Sequence, residues 1–219
     1  MKHQLKYQNI FFDLDGTLTD PAEGITNAII YARKKWGLPC EDNSAYYKFI
    51  GPPMPQSFVD TWGMSPDDAA RFLDDYREHY SEIGLFENHP YPGMEELLKK
   101  LRAAGAKLYV ATTKPTVFAV QILEKFGLAP YFEIISGCEL NGERGLKYQV
   151  IEYARDEGHV DMRSAVMVGD RLHDAKGAEI CGIPCIGAGY GYGGREELLE
   201  AGCIAVADSV AELETLLFE

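Results

Sequence analysis

Six short apolar runs, set between helical patterns, constrain this chain more than any other feature. The runs are Ile10–Leu14, Leu108–Ala111, Phe132–Ile135, Ala165–Val168, Ile183–Ile186 and Ile204–Ala207. Runs this short and this apolar read as buried strands. Between most of them lie helices. Met94, Leu97, Leu98 and Leu101 follow the i, i+3, i+4, i+7 spacing, and Gly105 ends the segment; Phe118, Ile122, Leu123 and Phe126 do likewise, ended by Gly127. Strands that alternate with helices build βαβ units. The expected fold class is α/β, a Rossmann-like three-layer core around a parallel sheet.

One gap breaks the alternation. Residues 18–87 contain no convincing strand. Asp20-Pro21-Ala22-Glu23 predicts a helix start, with Asp at the cap, Pro at the first position and Glu three residues past the cap. Ile25, Ala28, Ile29, Ala32 and Trp36 then form one apolar stripe, stopped by Gly37. Ser65-Pro66-Asp67-Asp68 starts another helix, with Ala69, Phe72, Leu73, Tyr76 and Tyr80 on one face. Gly51-Pro52-Pro53 separates shorter helices. The expected organisation is a core of residues 1–17 and 88–219, interrupted by an all-helical insertion over 18–87.

Charge excludes several partners. Lys and Arg number 21 against 34 Asp and Glu, a net charge of −13. So acidic a surface repels polyanions, and no basic cluster offsets it, so no nucleic-acid partner is expected. No run approaches 18 apolar residues and the N-terminus shows no signal peptide, so neither a membrane span nor export is expected. The five Cys, at 40, 138, 181, 185 and 203, include no Cys-x-x-Cys pair and read as thiols of a cytoplasmic protein.

Phe11-Phe12-Asp13-Leu14-Asp15-Gly16-Thr17 is the most informative segment. An apolar strand runs straight into two carboxylates at i and i+2. Side chains two apart on a strand point the same way, so both would converge at its C-terminal end, where open parallel sheets hold ligands. Paired carboxylates repel unless a counter-charge relieves them, and a hard divalent cation such as Mg²⁺ does so with oxygen ligands.

The DLDGT segment at the end of a first strand resembles the haloacid dehalogenase superfamily, in its phosphatase branch. The resemblance implies that Asp13 is a nucleophile that takes the phosphoryl group, and that Asp15 is the general acid and base. It also implies three further motifs. Leu108–Ala111 ends in Thr112-Thr113-Lys114-Pro115, where Thr112 would bind a phosphoryl oxygen through its hydroxyl and Thr113 through its backbone N–H. Lys147, in Gly145-Leu146-Lys147-Tyr148, would offset the carboxylates and the phosphoryl group; Tyr148 stands where relatives commonly have Pro, and Lys114 and Arg144 are rivals for the role. Val168-Gly169-Asp170 supplies a third metal ligand beside Asp13 and the backbone carbonyl of Asp15, with Asp174 supporting the metal or Lys147. His173 is expected to be a neighbour of the site, since oxygen ligands suit Mg²⁺ better than imidazole. The insertion matches the helical cap of the family, with Gly51, Pro52 and Pro53 as the cap loop that faces the site.

Two decoys fall away. Gly189-Tyr190-Gly191-Tyr192-Gly193-Gly194 contains G-x-G-x-x-G, but only one strand remains after it, so it is read as a flexible connection near the site mouth. A receiver domain shares an Asp cluster, a Thr and a Lys, yet it is about half this length. The resemblance implies a Mg²⁺-dependent phosphomonoester hydrolase of the phosphoglycolate phosphatase-like group, acting on a small phosphorylated metabolite as a monomer or homodimer. A 5'-nucleotidase, a sugar-phosphate mutase and a catalytically silent metal-binding protein remain the alternatives.

Overall fold

The computed structural model describes residues 4–219; Met1, Lys2 and His3, expected at the start of the core, lie outside them. The chain divides into two compact units. One comprises the N-terminal segment to Thr19 together with Pro90–Glu219, and the other Asp20–His89. Leu18 and Thr19 therefore lie with the α/β unit, and Asn88 and His89 with the helical one.

Along the chain run β1 (Asn9–Phe12), β2 (Thr19–Asp20), α1 (Ala22–Lys35), α2 (Met54–Trp62), α3 (Pro66–Tyr80), β3 (His89–Pro90), α4 (Met94–Ala103) and β4 (Lys107–Pro115). Then follow α5 (Thr116–Lys125), β5 (Phe132–Cys138), α6 (Lys147–Gly158), β6 (Ala165–Gly169) and α7 (Leu172–Ile180). The chain finishes with β7 (Cys185–Ala188), α8 (Gly194–Glu200), β8 (Ala205–Ala207) and α9 (Val210–Leu217). Six strands form a parallel sheet in the order β5-β4-β1-β6-β7-β8. The chain fills one side of β1 with β4 and β5, then crosses back to lay β6, β7 and β8 on the other. β1 is thus the switch point, where a crevice opens at the strands' C-terminal ends.

The alternation of side chains builds both faces of the sheet. Phe11, Tyr109 and Met167 pack with Val150, Ile151 and Ala154 of α6 and Ala175 and Ala178 of α7, and the Phe11 and Tyr109 rings stack at 5.0 Å. Ile10, Phe12, Leu108, Val110, Val166 and Val168 alternate to the other face and are fully buried. Such dry strands explain why the apolar runs are continuous in sequence.

The helical unit has its own aromatic core. Phe58 stacks on Trp62 at 5.4 Å and meets Phe72 edge-on at 4.9 Å. Ser65 caps α3 by accepting the Asp68 N–H at 3.1 Å, as the sequence predicts.

Three local expectations are corrected. β1 stops at Phe12 instead of Leu14, because the Leu14 carbonyl turns to accept the N–H groups of Thr17, Leu18 and Thr19. α1 starts at Ala22 behind Pro21, not at Pro21 behind Asp20; Asp20 Oδ1 instead closes a short turn on the Ala22 N–H at 3.0 Å. Thr19–Asp20 and His89–Pro90 form a two-stranded sheet, too short to show any alternation in sequence.

Candidate active site

Strand register brings the motif residues to one end of the sheet. Phe12 is level with Val110 of β4 and Val168 of β6. Asp13 therefore follows β1 beside Ala111 and Gly169, one residue before Thr112 within β4 and one before Asp170 just past β6. The Asp13 N–H donates to the Val168 carbonyl at 2.9 Å. Asp13, Thr112 and Asp170 are all buried, and Asp170 is fully so.

Lys147 opens α6 and reaches this group. Its ammonium contacts Asp13 Oδ1 at 2.9 Å, Asp174 Oδ1 at 2.8 Å and the Ala111 carbonyl at 2.9 Å. The ammonium is thus ion-paired with two carboxylates and donates a hydrogen bond to one carbonyl. Burial alone would pull its pKa down, but Asp13 and Asp174 outweigh burial and hold it above the ordinary lysine value. Asp13 Oδ1 also accepts the Leu14 N–H at 2.7 Å, while Oδ2 accepts nothing among the described residues. One carboxylate oxygen is thus clamped and the other is left for a ligand. Of the two rivals for this role, Arg144 pairs with Glu139 and lies over the Tyr153 ring at 4.1 Å; Lys114 meets a different aspartate.

That aspartate is Asp15. Lys114 Nζ forms an ion pair with Asp15 Oδ2, whereas Asp15 Oδ1 is buried with no partner among the described residues. Burial raises the Asp15 pKa, and Lys114 opposes the rise. Asp13 and Asp15 both lie beyond the end of β1, so strand alternation does not set the directions of their side chains. Lys114 in contact with Asp15 is a site residue that sequence reading named only as a rival. Its spacing two residues past Thr112 was the available signal.

Asp170 is held from behind by the glycine loop. Its Oδ2 accepts the Tyr192 N–H at 2.8 Å, and its carbonyl accepts the Gly193 N–H at 3.1 Å. Tyr190 donates its hydroxyl to the Thr17 carbonyl at 3.1 Å, bracing the loop against the first motif. None of residues 189–194 is exposed. The segment expected to be a flexible connection is a packed support. A Cβ on Gly191 would stand 2.3 Å from the Gly16 carbonyl and 2.4 Å from Asp170 Cβ. A Cβ on Gly16, where φ is +81°, would stand 2.1 Å from Asp170 Oδ2. Gly16→Ala is therefore expected to displace Asp170 and weaken divalent-cation binding by about tenfold or more, the usual scale for a disturbed ligand support. Calorimetric titration with Mg²⁺ checks this; an unchanged affinity would count against the placement of Asp170.

The carboxylates suit a hard cation. Asp13, Asp170 and Asp174 each offer an oxygen, all within 4.8 Å of one another. Asp174 Oδ1 lies 2.8 Å from the Lys147 ammonium, and its Oδ2 accepts the Arg171 N–H at 3.0 Å. Asp170 Oδ1 is buried without a partner among the described residues, an uncompensated acceptor that costs free energy unless a ligand reaches it. An all-oxygen donor set fits Mg²⁺.

Electrostatics give this cluster a pH signature. Burial, with help from Asp174 and Asp13, pushes Asp170 well above the usual carboxylate range. Burial likewise outweighs Lys147 and raises Asp174 from 3.8 to about 6. A carboxyl raised on folding binds more protons in the native state, so its contribution to stability falls as pH rises from the unfolded value through the folded one. In chelator, the melting temperature is expected to fall between about pH 5 and pH 7, and Mg²⁺ should restore more at the higher pH. A melting temperature that climbs steadily through that interval without metal would contradict the burial of these groups.

The remaining candidates are placed as follows. Thr112 is buried, and its hydroxyl accepts the Lys114 N–H at 3.3 Å. Thr113 follows it in β4, half-buried. Gly51, Pro52 and Pro53 lie in the helical unit just before α2. His173 is not among the residues of the acidic cluster. No helix among the described residues is long and apolar enough to cross a membrane.

Residues 10–188 match the haloacid dehalogenase-like hydrolase family. A 5'-nucleotidase from Pseudomonas aeruginosa is 43% identical over 194 residues, spanning 89% of this chain and 88% of the relative. Tyrosine-protein kinase PtkA from Mycobacterium tuberculosis is 36% identical over 209 residues, 95% of this chain and 71% of the relative. A phosphoglycolate phosphatase from Vibrio parahaemolyticus is 29% identical over 212 residues, 93% of each chain. Among solved structures, that of a predicted phosphatase from Clostridium acetobutylicum superposes with a TM-score of 0.93 at 44% identity, covering 96% of this chain and 97% of the other.

Proposed function

Since the chain belongs to the haloacid dehalogenase-like hydrolase family, we propose that this phosphatase hydrolyses a small phosphorylated metabolite through an aspartyl-phosphate on Asp13. The observation that carries the reading is the clamped Asp13: one oxygen on Lys147 and Leu14, the other without a partner among the described residues. A carboxylate fixed in this way is a positioned nucleophile.

In the first step Asp13 attacks phosphorus in line and the ester oxygen departs with a proton from Asp15. Water then attacks the aspartyl-phosphate, and Asp15 takes its proton. Thr112 and the Thr113 N–H hold phosphoryl oxygens, and the Lys147 ammonium offsets the charge gathered between phosphate and Asp13. Asp13, the Asp15 carbonyl and Asp170 would hold Mg²⁺, which supplies Lewis-acid neutralisation of the phosphate. Asp174 keeps Lys147 in place. The helical unit takes the cap role that the family resemblance implies, excluding water and selecting the leaving group, with Gly51, Pro52 and Pro53 assigned to the cap loop.

The default substrate is of the phosphoglycolate type. The 43% identity to a 5'-nucleotidase makes a nucleoside monophosphate the second reading. Incubation with p-nitrophenyl phosphate, with and without Mg²⁺, tests the reaction class, and turnover is expected only with the metal. Absence of metal-dependent turnover would favour a silent binding protein. Ranking phosphoglycolate against nucleoside monophosphates by kcat/KM then separates the two substrates.

A further inference from the structure

The site contains a second buried lysine that the scheme above leaves unused. Lys114 stands two residues after Thr112 at the end of β4, and its side chain is only 7% exposed. A buried ammonium needs a partner to offset its desolvation. Lys114 has one in Asp15 Oδ2. Lys147 is engaged elsewhere, ion-paired with Asp13 and Asp174 and hydrogen-bonded to the Ala111 carbonyl. The two lysines therefore divide the two aspartates of the first motif between them.

The pairing makes the two oxygens of Asp15 unequal. Oδ2 is tied to Lys114, while Oδ1 is buried without a partner among the described residues. We infer that Lys114 is a positioning residue for acid catalysis, fixing the Asp15 carboxyl so that Oδ1 meets the leaving oxygen of the ester. The inference rests on the phosphatase reading above. In the first step a bond forms between Asp13 and phosphorus, the phosphorus–oxygen ester bond breaks, and the proton on Asp15 Oδ1 passes to the departing oxygen. The carboxylate left on Asp15 stays paired with the Lys114 ammonium, which stabilises the charge that proton donation creates.

This role has a signature that a purely structural lysine lacks. An alkyl ester must protonate its leaving oxygen, whereas p-nitrophenolate departs with little help. The experiment compares Lys114→Met, Lys114→Arg and wild type by kcat/KM, which reports the step that expels the leaving group. The esters are p-nitrophenyl phosphate and whichever of phosphoglycolate or adenosine 5'-monophosphate the wild type hydrolyses. Lys114→Met is expected to lose about tenfold or more on the alkyl ester beyond its loss on the aryl ester, within the usual worth of acid catalysis. Lys114→Arg should recover most of the difference. The ratio between two esters in one sample does not depend on the folded fraction, so partial misfolding cannot imitate the result. Equal losses on both esters, or no loss on either, would overturn the inference and leave the phosphatase reading standing. A wild-type enzyme inactive on all three esters would instead remove that reading and the inference with it.

Discussion

On the proposed mechanism, Asp13→Asn is expected to lower kcat by roughly 10⁴-fold or more, as removal of a nucleophile does when the neighbouring groups act only through it. The expectation includes an intact fold. The amide has the carboxylate's shape, and its carbonyl can still accept from Leu14 N–H and Lys147, the two donors on Oδ1. Four buried carboxylates, Asp13, Asp15, Asp170 and Asp174, face two buried ammoniums, Lys114 and Lys147. Removing one negative charge from that excess relieves repulsion. The melting temperature of the metal-free variant should therefore equal or exceed that of wild type while turnover disappears. A variant that keeps near-normal rates with p-nitrophenyl phosphate would show that another group attacks phosphorus.

Lys147→Met should be the most damaging change to stability. Its ammonium is ion-paired with two carboxylates and hydrogen-bonded to one carbonyl, and its side chain is only 4% exposed. Breaking a buried pair by removing one partner costs about 3–5 kcal/mol, because the other charge is left buried and uncompensated. For a chain of this size, that corresponds to a fall in melting temperature of roughly 6–20 °C. The loss should shrink as pH falls toward about 5, where Asp174, raised to about 6, is increasingly neutral. Thermal denaturation of wild type and variant across that range is the measurement. A melting temperature unaffected at neutral pH would mean that the carboxylates do not depend on Lys147. Activity should fall as well, since Asp13 would lose one of the two donors that orient it.

How much could be read without the fold depends on the range over which each feature is encoded. The buried strands were legible because both sheet faces are dry, which writes continuous apolar runs at Ile10–Phe12 and Ala165–Val168. The four motifs were legible because each sits within a few residues of a strand's end or a helix's start. Strand ends were less so. Leu14 is fully buried and apolar, yet its carbonyl leaves the ladder to bind three N–H groups of its own turn. The glycine loop misled for a related reason. Its glycines read as flexibility, whereas at Gly191 the absence of a side chain lets the backbone approach Gly16 and Asp170.

The sequence by itself determined the α/β class, the helical insertion and the identity of the charged groups, since periodicity and motif order are local properties of the chain. Which cation meets which anion was decided by tertiary structure alone. Lys114 and Asp15 are 99 residues apart, and Tyr192 and Asp170 are 22 apart. Such pairings follow from strand register and helix placement, which fix distances to within a hydrogen bond only once the whole sheet is assembled. Coulomb energies in a buried site depend on those distances, so the division of labour between the two lysines becomes visible only in three dimensions.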